Sequence, residues 1–145
     1  MQTSFTDKQL LDKDNKSSES ILRKCVHCGM CNATCPTFCV NGEELEGPRG
    51  RIYLIKDMLE NKKPANKKVV KHIDSCLSCY SCMTTCPSGV NYMHLIDHGR
   101  NYVEETYKRP FFDRLFRNVL SFVLPRPKVF LTLAYLSKLI KPFSF

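Results

Sequence analysis

Several signals that mark other classes of protein are missing from this chain of 145 residues. It has no charged start, apolar core and small-residue cleavage site of a secretory signal, so we expect a cytoplasmic, reducing location. The longest uncharged stretch near the C-terminus, residues 129–137, is far shorter than the roughly 20 apolar residues of a membrane-spanning helix, and we expect no span. A Gly-x-Gly-x-x-Gly fingerprint is absent, and no segment alternates apolar and polar residues convincingly. We therefore predict an all-α chain with no catalytic residues of its own.

Cysteine, by contrast, is abundant: the chain has nine, and eight of them form two copies of the pattern C-x2-C-x2-C-x3-C-P. Each cysteine of the second copy lies 51 residues after its counterpart in the first. Paired runs of this kind bind two [4Fe–4S] clusters, and the fourth cysteine of each run ligates the other run's cluster. Cluster 1 is therefore expected to take Cys25, Cys28, Cys31 and Cys86. Cluster 2 is expected to take Cys76, Cys79, Cys82 and Cys35.

Other uses of these cysteines fit the pattern poorly. Zinc sites built from four cysteines usually pair two separated C-x2-C knuckles, whereas each run here packs four cysteines and a proline into twelve residues. Disulfides are not expected in a reducing location, and nine is an odd number. Cys39 has no counterpart in the second copy, and we interpret it as a spare thiol or, less simply, as a substitute ligand.

Three residues near the runs are candidates for the environment of the clusters. His27 lies inside the first run, where it is a polar neighbour that tunes solvent access or, alternatively, an extra ligand. Arg49 and Arg51 belong to a Gly-Pro-Arg-Gly-Arg turn that leads into a helix. They offer positive charge and backbone N–H groups to an anionic cluster, or else form ordinary salt bridges. For His72, on a predicted helix, a surface or packing role is the default.

The spacing of apolar residues predicts helices between and after the runs. We expect residues 1–16 to be a flexible segment, and residues 17–107 to form an α-helical ferredoxin-type domain that binds both clusters. The 40 residues between Cys35 and Cys76 favour helices over the strands and short connections of small β-rich ferredoxins. Predicted helix caps and buried stripes are Ser17, Ser18 and Ser20 before Ile21; Ile52, Ile55, Met58 and Leu59; Val69, Val70 and Ile73; and Asn91 before Tyr92, Leu95, Ile96, Gly99, Tyr102 and Val103.

Residues 108–145 are expected to form a basic tail of C-terminal amphipathic helices. Eight basic residues accompany a single acid, Asp113: Lys108, Arg109, Arg114, Arg117, Arg126, Lys128, Lys138 and Lys141. The apolar stripe of the first helix consists of Phe111, Phe112, Leu115, Phe116, Val119 and Leu120. The tail is interpreted as a surface that docks on a partner or on a further domain, or as a peripheral membrane contact. Nucleic acid is not an expected partner: no basic-aromatic groove motif accompanies the net charge of +8, and bound clusters would reduce that charge to about +4.

Three segments, residues 25–37, 42–56 and 76–90, closely resemble the iron–sulfur subunit of bacterial glycolate oxidase, also called glycolate dehydrogenase. Residues 108–110 and 123–127 are similar to it as well. The resemblance implies that FAD-binding partner subunits oxidise glycolate to glyoxylate, and that this chain passes the electrons towards a membrane quinone at the cytosolic face of the inner membrane. Family members continue into two further cysteine-rich domains, so the chain is expected to be a fragment or a truncated product.

Two alternatives remain open at this point. The chain also fits a sister subunit that serves lactate, glycerol 3-phosphate or heterodisulfide chemistry. A free-standing two-cluster ferredoxin is the other alternative, although a diffusing carrier has no use for a basic, apolar tail.

Overall fold

The computed structural model of the chain describes the backbone of residues 1–140 and the side chains of residues 1–136. Lys141 and the end of the predicted tail at Phe145 lie outside the described residues, as does the side chain of Lys138. The helices are α1 (Asp7–Leu10), α2 (Lys13–Lys24), α3 (Pro36–Asn41), α4 (Pro48–Asn61), α5 (Lys67–Asp74), α6 (Ser81–Thr84), α7 (Tyr92–Thr106), α8 (Phe111–Val123) and α9 (Pro127–Ile140). Short 3-10 turns cover Met30–Asn32 and Glu44–Glu46. No strand occurs within residues 1–140, which confirms the predicted all-α class.

The chain divides into two compact units, Met1–Tyr107 and Lys108–Phe145. The first unit contains both cysteine runs, and the second contains α8 and α9.

The core of the first unit lies between α4 and α7, which pack against each other and against α2 and α5. Ile55 of α4, Ile73 of α5 and Leu95 of α7 are fully buried. The stripe predicted on α4 is buried at all four positions, and on α7 Tyr102 is the one predicted member that is only partly buried. Burial of each large apolar side chain contributes about 1.5–3 kcal/mol. This core fixes the helices from which both cysteine loops project.

Residues 1–16 differ from the flexible segment expected there. They contain α1 and the start of α2, and the Gln9 side-chain amide donates to the carbonyl of Leu59 over 2.8 Å. The N-cap of α2 is Asp12, whose carboxylate accepts from the backbone N–H of Asp14 and Asn15, whereas Ser17, Ser18 and Ser20 lie inside the helix. The first turn of α2 is polar, so the spacing of apolar residues does not predict that the helix begins there.

Two other helix starts follow their caps. Asn66 precedes α5, and its side chain accepts from the backbone N–H of Val69. Asn91 precedes α7 as predicted, and its side chain accepts from the backbone N–H of His94. Each cap satisfies one of the backbone donors that a helix start leaves without an intrahelical partner.

The second unit contains two amphipathic helices whose apolar side chains are largely exposed. The exposed members on α8 are Phe111, Phe112, Leu115, Phe116, Val119, Leu120 and Phe122. Asp113, within α8, accepts from the guanidinium groups of Arg109 and Arg117. Among the described residues no single helix is long and apolar enough to cross a bilayer; α8 together with α9 reaches that length and composition, but the pair is bent by 111°.

Candidate metal centres

The two cysteine loops adopt the same unusual backbone conformation at equivalent positions. In the first loop, His27 and Gly29 have positive φ angles of 59° and 86°, and in the second loop, Ser78 and Tyr80 have 53° and 56°. A non-glycine residue in this left-handed region costs about 1–3 kcal/mol and persists only where its surroundings impose it. The resulting turns allow the three cysteines of each loop to line one cavity.

The first cavity is lined by cysteines from both runs. Its four expected ligands are Cys25, Cys28, Cys31 and Cys86. The cavity encloses about 440 Å³ of empty space, including its opening, and Cys82 borders it as well. Cys25 follows the last residue of α2 and is buried, whereas Cys28 is exposed. One side of this cavity therefore faces solvent.

The second cavity repeats this arrangement with the runs exchanged. Its cysteines are Cys76, Cys79, Cys82 and Cys35. It encloses about 290 Å³ of empty space. Cys35 is the N-cap of α3, and Pro36 occupies the first helical position, where its missing N–H removes no hydrogen bond. The structure thus brings together each expected ligand set, and ligation itself stays a prediction.

The two cavities are immediate neighbours. Pro48, Cys82 and Tyr92 line both of them, so a single layer of side chains forms the shared wall. The burial of Cys82 and Tyr92 keeps this wall largely out of contact with water.

The thiols of Cys31 and Cys82 do not favour the ionised form by themselves. Burial raises the pKa of Cys31 to about 11, and the neighbouring charge of Cys25 adds to the effect. Burial raises the pKa of Cys82 to about 12, followed by the charges of Cys31 and Cys76. Cysteine binds metal as the thiolate, so such a site needs a cationic centre to deprotonate it. A set of four clustered cysteines is the donor set that a [4Fe–4S] cluster takes, and the residues fit that group.

Hydrogen-bond donors also approach the sulfur atoms. The backbone N–H of Val90 donates to Cys86 Sγ over 3.4 Å, and the hydroxyl of Tyr92 donates to Cys76 Sγ over 3.7 Å. In the second loop, hydrogen bonds from Ser81 lower the pKa of Cys79. Donors of this kind stabilise negative charge on sulfur, and they are among the determinants of cluster potential.

His27 and Arg49 both line the first cavity. Arg49 makes the salt bridge that sequence reasoning offered as one alternative: its Nε lies 2.5 Å from Glu44 Oε1. Burial and the charge of Arg49 lower the pKa of His27, which favours the neutral imidazole. Among the described residues, His27 Nδ1 has no hydrogen-bond partner although it is buried. Both residues therefore stand beside the expected cluster 1.

Arg51 lines the second cavity and is the centre of a buried polar network. Its Nη2 lies 2.9 Å from Glu46 Oε2, and its Nε donates to the backbone carbonyl of His72 over 2.7 Å. His72 Nδ1 and Glu46 Oε1 are 2.8 Å apart, and Ser75 donates to Glu46 Oε2. Sequence reasoning did not find Glu46 or Ser75 and gave His72 only a surface or packing role. Their positions, up to 29 residues apart, form no local motif.

The same network includes three potential ligands for a single metal ion. The ligand-type atoms of Glu43, Glu46 and His72 lie within 4.8 Å of one another. Burial alone would raise the pKa of Glu46, but hydrogen bonds from Ser75 and His72 outweigh it, so the pKa is lowered. Because the Glu46 carboxylate already accepts from Arg51 and Ser75, we interpret the group as a structural ion pair.

The ninth cysteine lies apart from both cavities. Cys39 is exposed in α3, and its Sγ lies 3.5 Å from the carbonyl of Ala33. It lines neither the first nor the second cavity. The structure therefore favours the interpretation of Cys39 as a spare thiol over that of a substitute ligand.

Comparison with known protein families identifies residues 21–90 as a 4Fe-4S dicluster domain. Over 143 residues the chain is 49% identical to the glycolate oxidase iron-sulfur subunit of Escherichia coli K12, an alignment that covers 99% of this chain and 35% of that protein. The chain belongs to the glycolate oxidase iron–sulfur subunit family. The resemblance seen in the cysteine runs and the Gly-Pro-Arg-Gly-Arg segment is confirmed.

Two further proteins are similar to this chain at lower identity. The probable glycolate oxidase iron-sulfur subunit of Bacillus subtilis 168 is 32% identical over 117 residues, which cover 77% of this chain and 26% of that protein. The mitochondrial succinate dehydrogenase iron-sulfur subunit of Candida glabrata is 27% identical over 84 residues, or 54% of this chain and 33% of that protein. No solved structure matches significantly. The chain spans about a third or less of the length of these relatives, and its family makes it an electron-transfer iron–sulfur protein.

Proposed function

We propose that this chain carries electrons through two [4Fe–4S] clusters in a flavin-dependent glycolate dehydrogenase complex. The observation that carries the proposal is the division of eight cysteines between two adjacent cavities, each lined by three cysteines of one run and the fourth of the other. The glycolate oxidase iron–sulfur subunits among its relatives support glycolate as the electron source. FAD belongs to partner subunits that oxidise glycolate to glyoxylate.

The clusters supply one-electron redox chemistry, and the residues of this chain supply their surroundings. The two loops hold their thiols on left-handed turns, and the exchanged fourth cysteines link one half of the first unit to the other. Pro48 and Tyr92 exclude water from the wall between the cavities. A short, dry path between the two centres is what rapid electron exchange requires.

The second unit is proposed to provide an interaction surface. The exposed apolar side chains of α8 stand beside Arg114 and Arg117, and a monomer has little reason to expose such a face. We infer that this face docks on the other parts of the complex at the cytosolic face of the inner membrane, where the electrons continue towards quinone. Its basic residues also suit an anionic lipid surface.

Anaerobic co-expression with glycolate-type flavoproteins tests the function. We expect about eight iron and eight acid-labile sulfide per chain, the content of two [4Fe–4S] clusters. Adding glycolate to the purified complex should reduce both clusters, as followed by EPR, while lactate and glycerol 3-phosphate should not. Bound zinc in place of iron would contradict the cluster assignment. Reduction by lactate alone would assign the chain to a sister complex, and an isolated two-cluster monomer would indicate a free carrier.

Serine substitutions test the exchanged ligation. Cys86→Ser should damage the cluster held by Cys25, Cys28 and Cys31, whereas Cys35→Ser should damage the other cluster. Cys39→Ser is the matched control, because this thiol lines neither cavity. If Cys86→Ser instead removed only the EPR signal that loss of Cys76 removes, each run would ligate its own cluster.

A further inference from the structure

The walls of the two cavities carry different electrostatic fields. Arg51 faces the second cavity from a site where its side chain is only 1% exposed. Arg49, two residues earlier, faces the first cavity with its side chain 34% exposed. We propose that Arg51 gives the cluster in the second cavity a higher reduction potential than the cluster in the first cavity. A single electron on the protein would then reside on the cluster in the second cavity. This inference rests on the proposed function, because it requires both clusters.

The orientation of the Arg51 guanidinium is fixed by its hydrogen bonds. Nε donates to the carbonyl of His72, and Nη2 donates to Glu46, to Ser75 Oγ over 3.0 Å and to Thr37 Oγ1 over 3.1 Å. Nη1 is left to point at Cys35 Sγ, 3.8 Å away. Because guanidinium is a rigid planar fork, these contacts hold its remaining N–H group towards the sulfur.

A charge in this position favours the reduced state of the cluster. Reduction adds one negative charge, part of which is carried by the cysteine sulfurs, and a buried cation beside one of them stabilises it. Glu46 reduces this effect but does not cancel it, since the carboxylate binds Nη2 whereas Nη1 faces Cys35. In a dry site this difference in distance matters more than it does in water. The Tyr92 hydroxyl, which donates to Cys76 Sγ, acts in the same direction.

The first cavity has no equivalent among the described residues. Arg49 is paired with the half-exposed carboxylate of Glu44, and water and salt screen both charges. At the four cysteines expected to hold cluster 1, the backbone N–H of Val90 donates to Cys86 Sγ. The two sites therefore differ in buried charge and in hydrogen bonding, while each has one exposed cysteine, Cys28 or Cys79.

EPR-monitored redox titration of the holoprotein tests the proposal, with Cys35→Ser used to assign the signal of the second cavity. In the unsubstituted protein that signal should appear at the higher potential. Arg51→Gln should lower the reduction potential of the cluster in the second cavity by at least about 59 mV, which is a tenfold loss of its preference for one electron. Glu46→Gln removes the opposing charge and should move the same potential upwards. Arg49→Gln is the matched control and should change either potential by less than Arg51→Gln does.

The opposite signs separate an electrostatic role from a structural one. Arg51→Gln and Glu46→Gln break the same ion pair, so structural damage would move the potential in one direction in both variants and would overturn the proposal. An equal shift in Arg49→Gln would overturn it as well. If Arg51→Gln does not retain iron, the upward shift in Glu46→Gln decides. Absence of two clusters from the unsubstituted protein would instead refute the proposed function, and it would be visible before any titration.

Discussion

Substitution of Gly50 by alanine should destabilise the part of the protein that surrounds the second cavity, because the added methyl group has no room. Gly50 lies in the first turn of α4, where the helix meets the Glu44–Glu46 turn. A Cβ atom on Gly50 would lie 2.2 Å from the carbonyl oxygen of Glu44 and 2.8 Å from the Cα of Leu45. Both obstacles are backbone atoms, so no rotation of a side chain can relieve the contact.

The magnitude follows from two opposing effects. The turn would have to move by roughly 1 Å to restore ordinary van der Waals contact. Overpacking of this kind costs about 1–3 kcal/mol. Alanine gains at most about 1 kcal/mol over glycine in a helix, and less in a first turn than in the interior. We therefore expect a net loss of about 1–2 kcal/mol, the middle of the range that these two effects leave, and the displaced turn carries Glu46 away from Arg51.

The assay compares holoproteins under anaerobic conditions. Gly50→Ala should lower the thermal midpoint and speed the release of iron to a chelator, since a loss of 1–2 kcal/mol changes the open population by about 5- to 30-fold. Gly42→Ala makes the same chemical change where nothing lies within 4 Å of the new Cβ, so its cost comes from the positive φ of +66° alone. It should lower the thermal midpoint without displacing the turn that carries Glu46, and it therefore separates backbone strain from crowding. An unchanged or higher thermal midpoint for Gly50→Ala would refute the reasoning, because helix propensity would then outweigh crowding.

Three other predictions concern the thiols and their loops. Cys39→Ser should retain all its iron, as measured per chain, since this thiol lines neither cavity. Arg100→Met should release iron faster and lose the EPR signal of the second cavity first, because Arg100 donates to the carbonyl of Cys76 over 2.6 Å. Iron loading should improve as pH rises from about 6.5 to 8.5, because burial raises the pKa of Cys31 and Cys82 to about 11 and 12 and each must lose a proton. A yield of reconstituted cluster that does not change with pH would contradict this last expectation.

Much of the first unit is predictable from local patterns. The cysteine spacing groups four residues by chemistry before any geometry is known, because a ligand run needs particular residue types at fixed intervals. The apolar stripe at Ile52, Ile55, Met58 and Leu59 is buried as its helical period predicts, since one face of α4 must be covered. Asn91 begins α7 for the same local reason: a side-chain oxygen satisfies a free backbone N–H.

The parts that escape prediction depend on contacts between distant residues. Glu46 and His72 are 26 residues apart and meet because the Glu44–Glu46 turn and α5 both pack against α4. The positive φ angle of Tyr80 could not be predicted from the sequence, because Tyr80 is not a glycine. It is recognised only by comparison with Gly29, which has the matching conformation in the first loop. The start of α2 at Lys13 is hidden for another reason, because its first turn is polar and its cap, Asp12, lies outside any apolar period.

Helix geometry lets the Gly-Pro-Arg-Gly-Arg segment contribute to both cavities at once. Residues in an α-helix are separated by about 100°, so Arg49 and Arg51 project roughly 200° apart. One arginine therefore reaches the first cavity and the other reaches the second, while Pro48 at the start of the same turn lines both. Gly50 between them allows the turn that carries Glu46 to approach. One helical turn thus supplies charge to both sites, and the different burial of its two arginines makes those sites unequal.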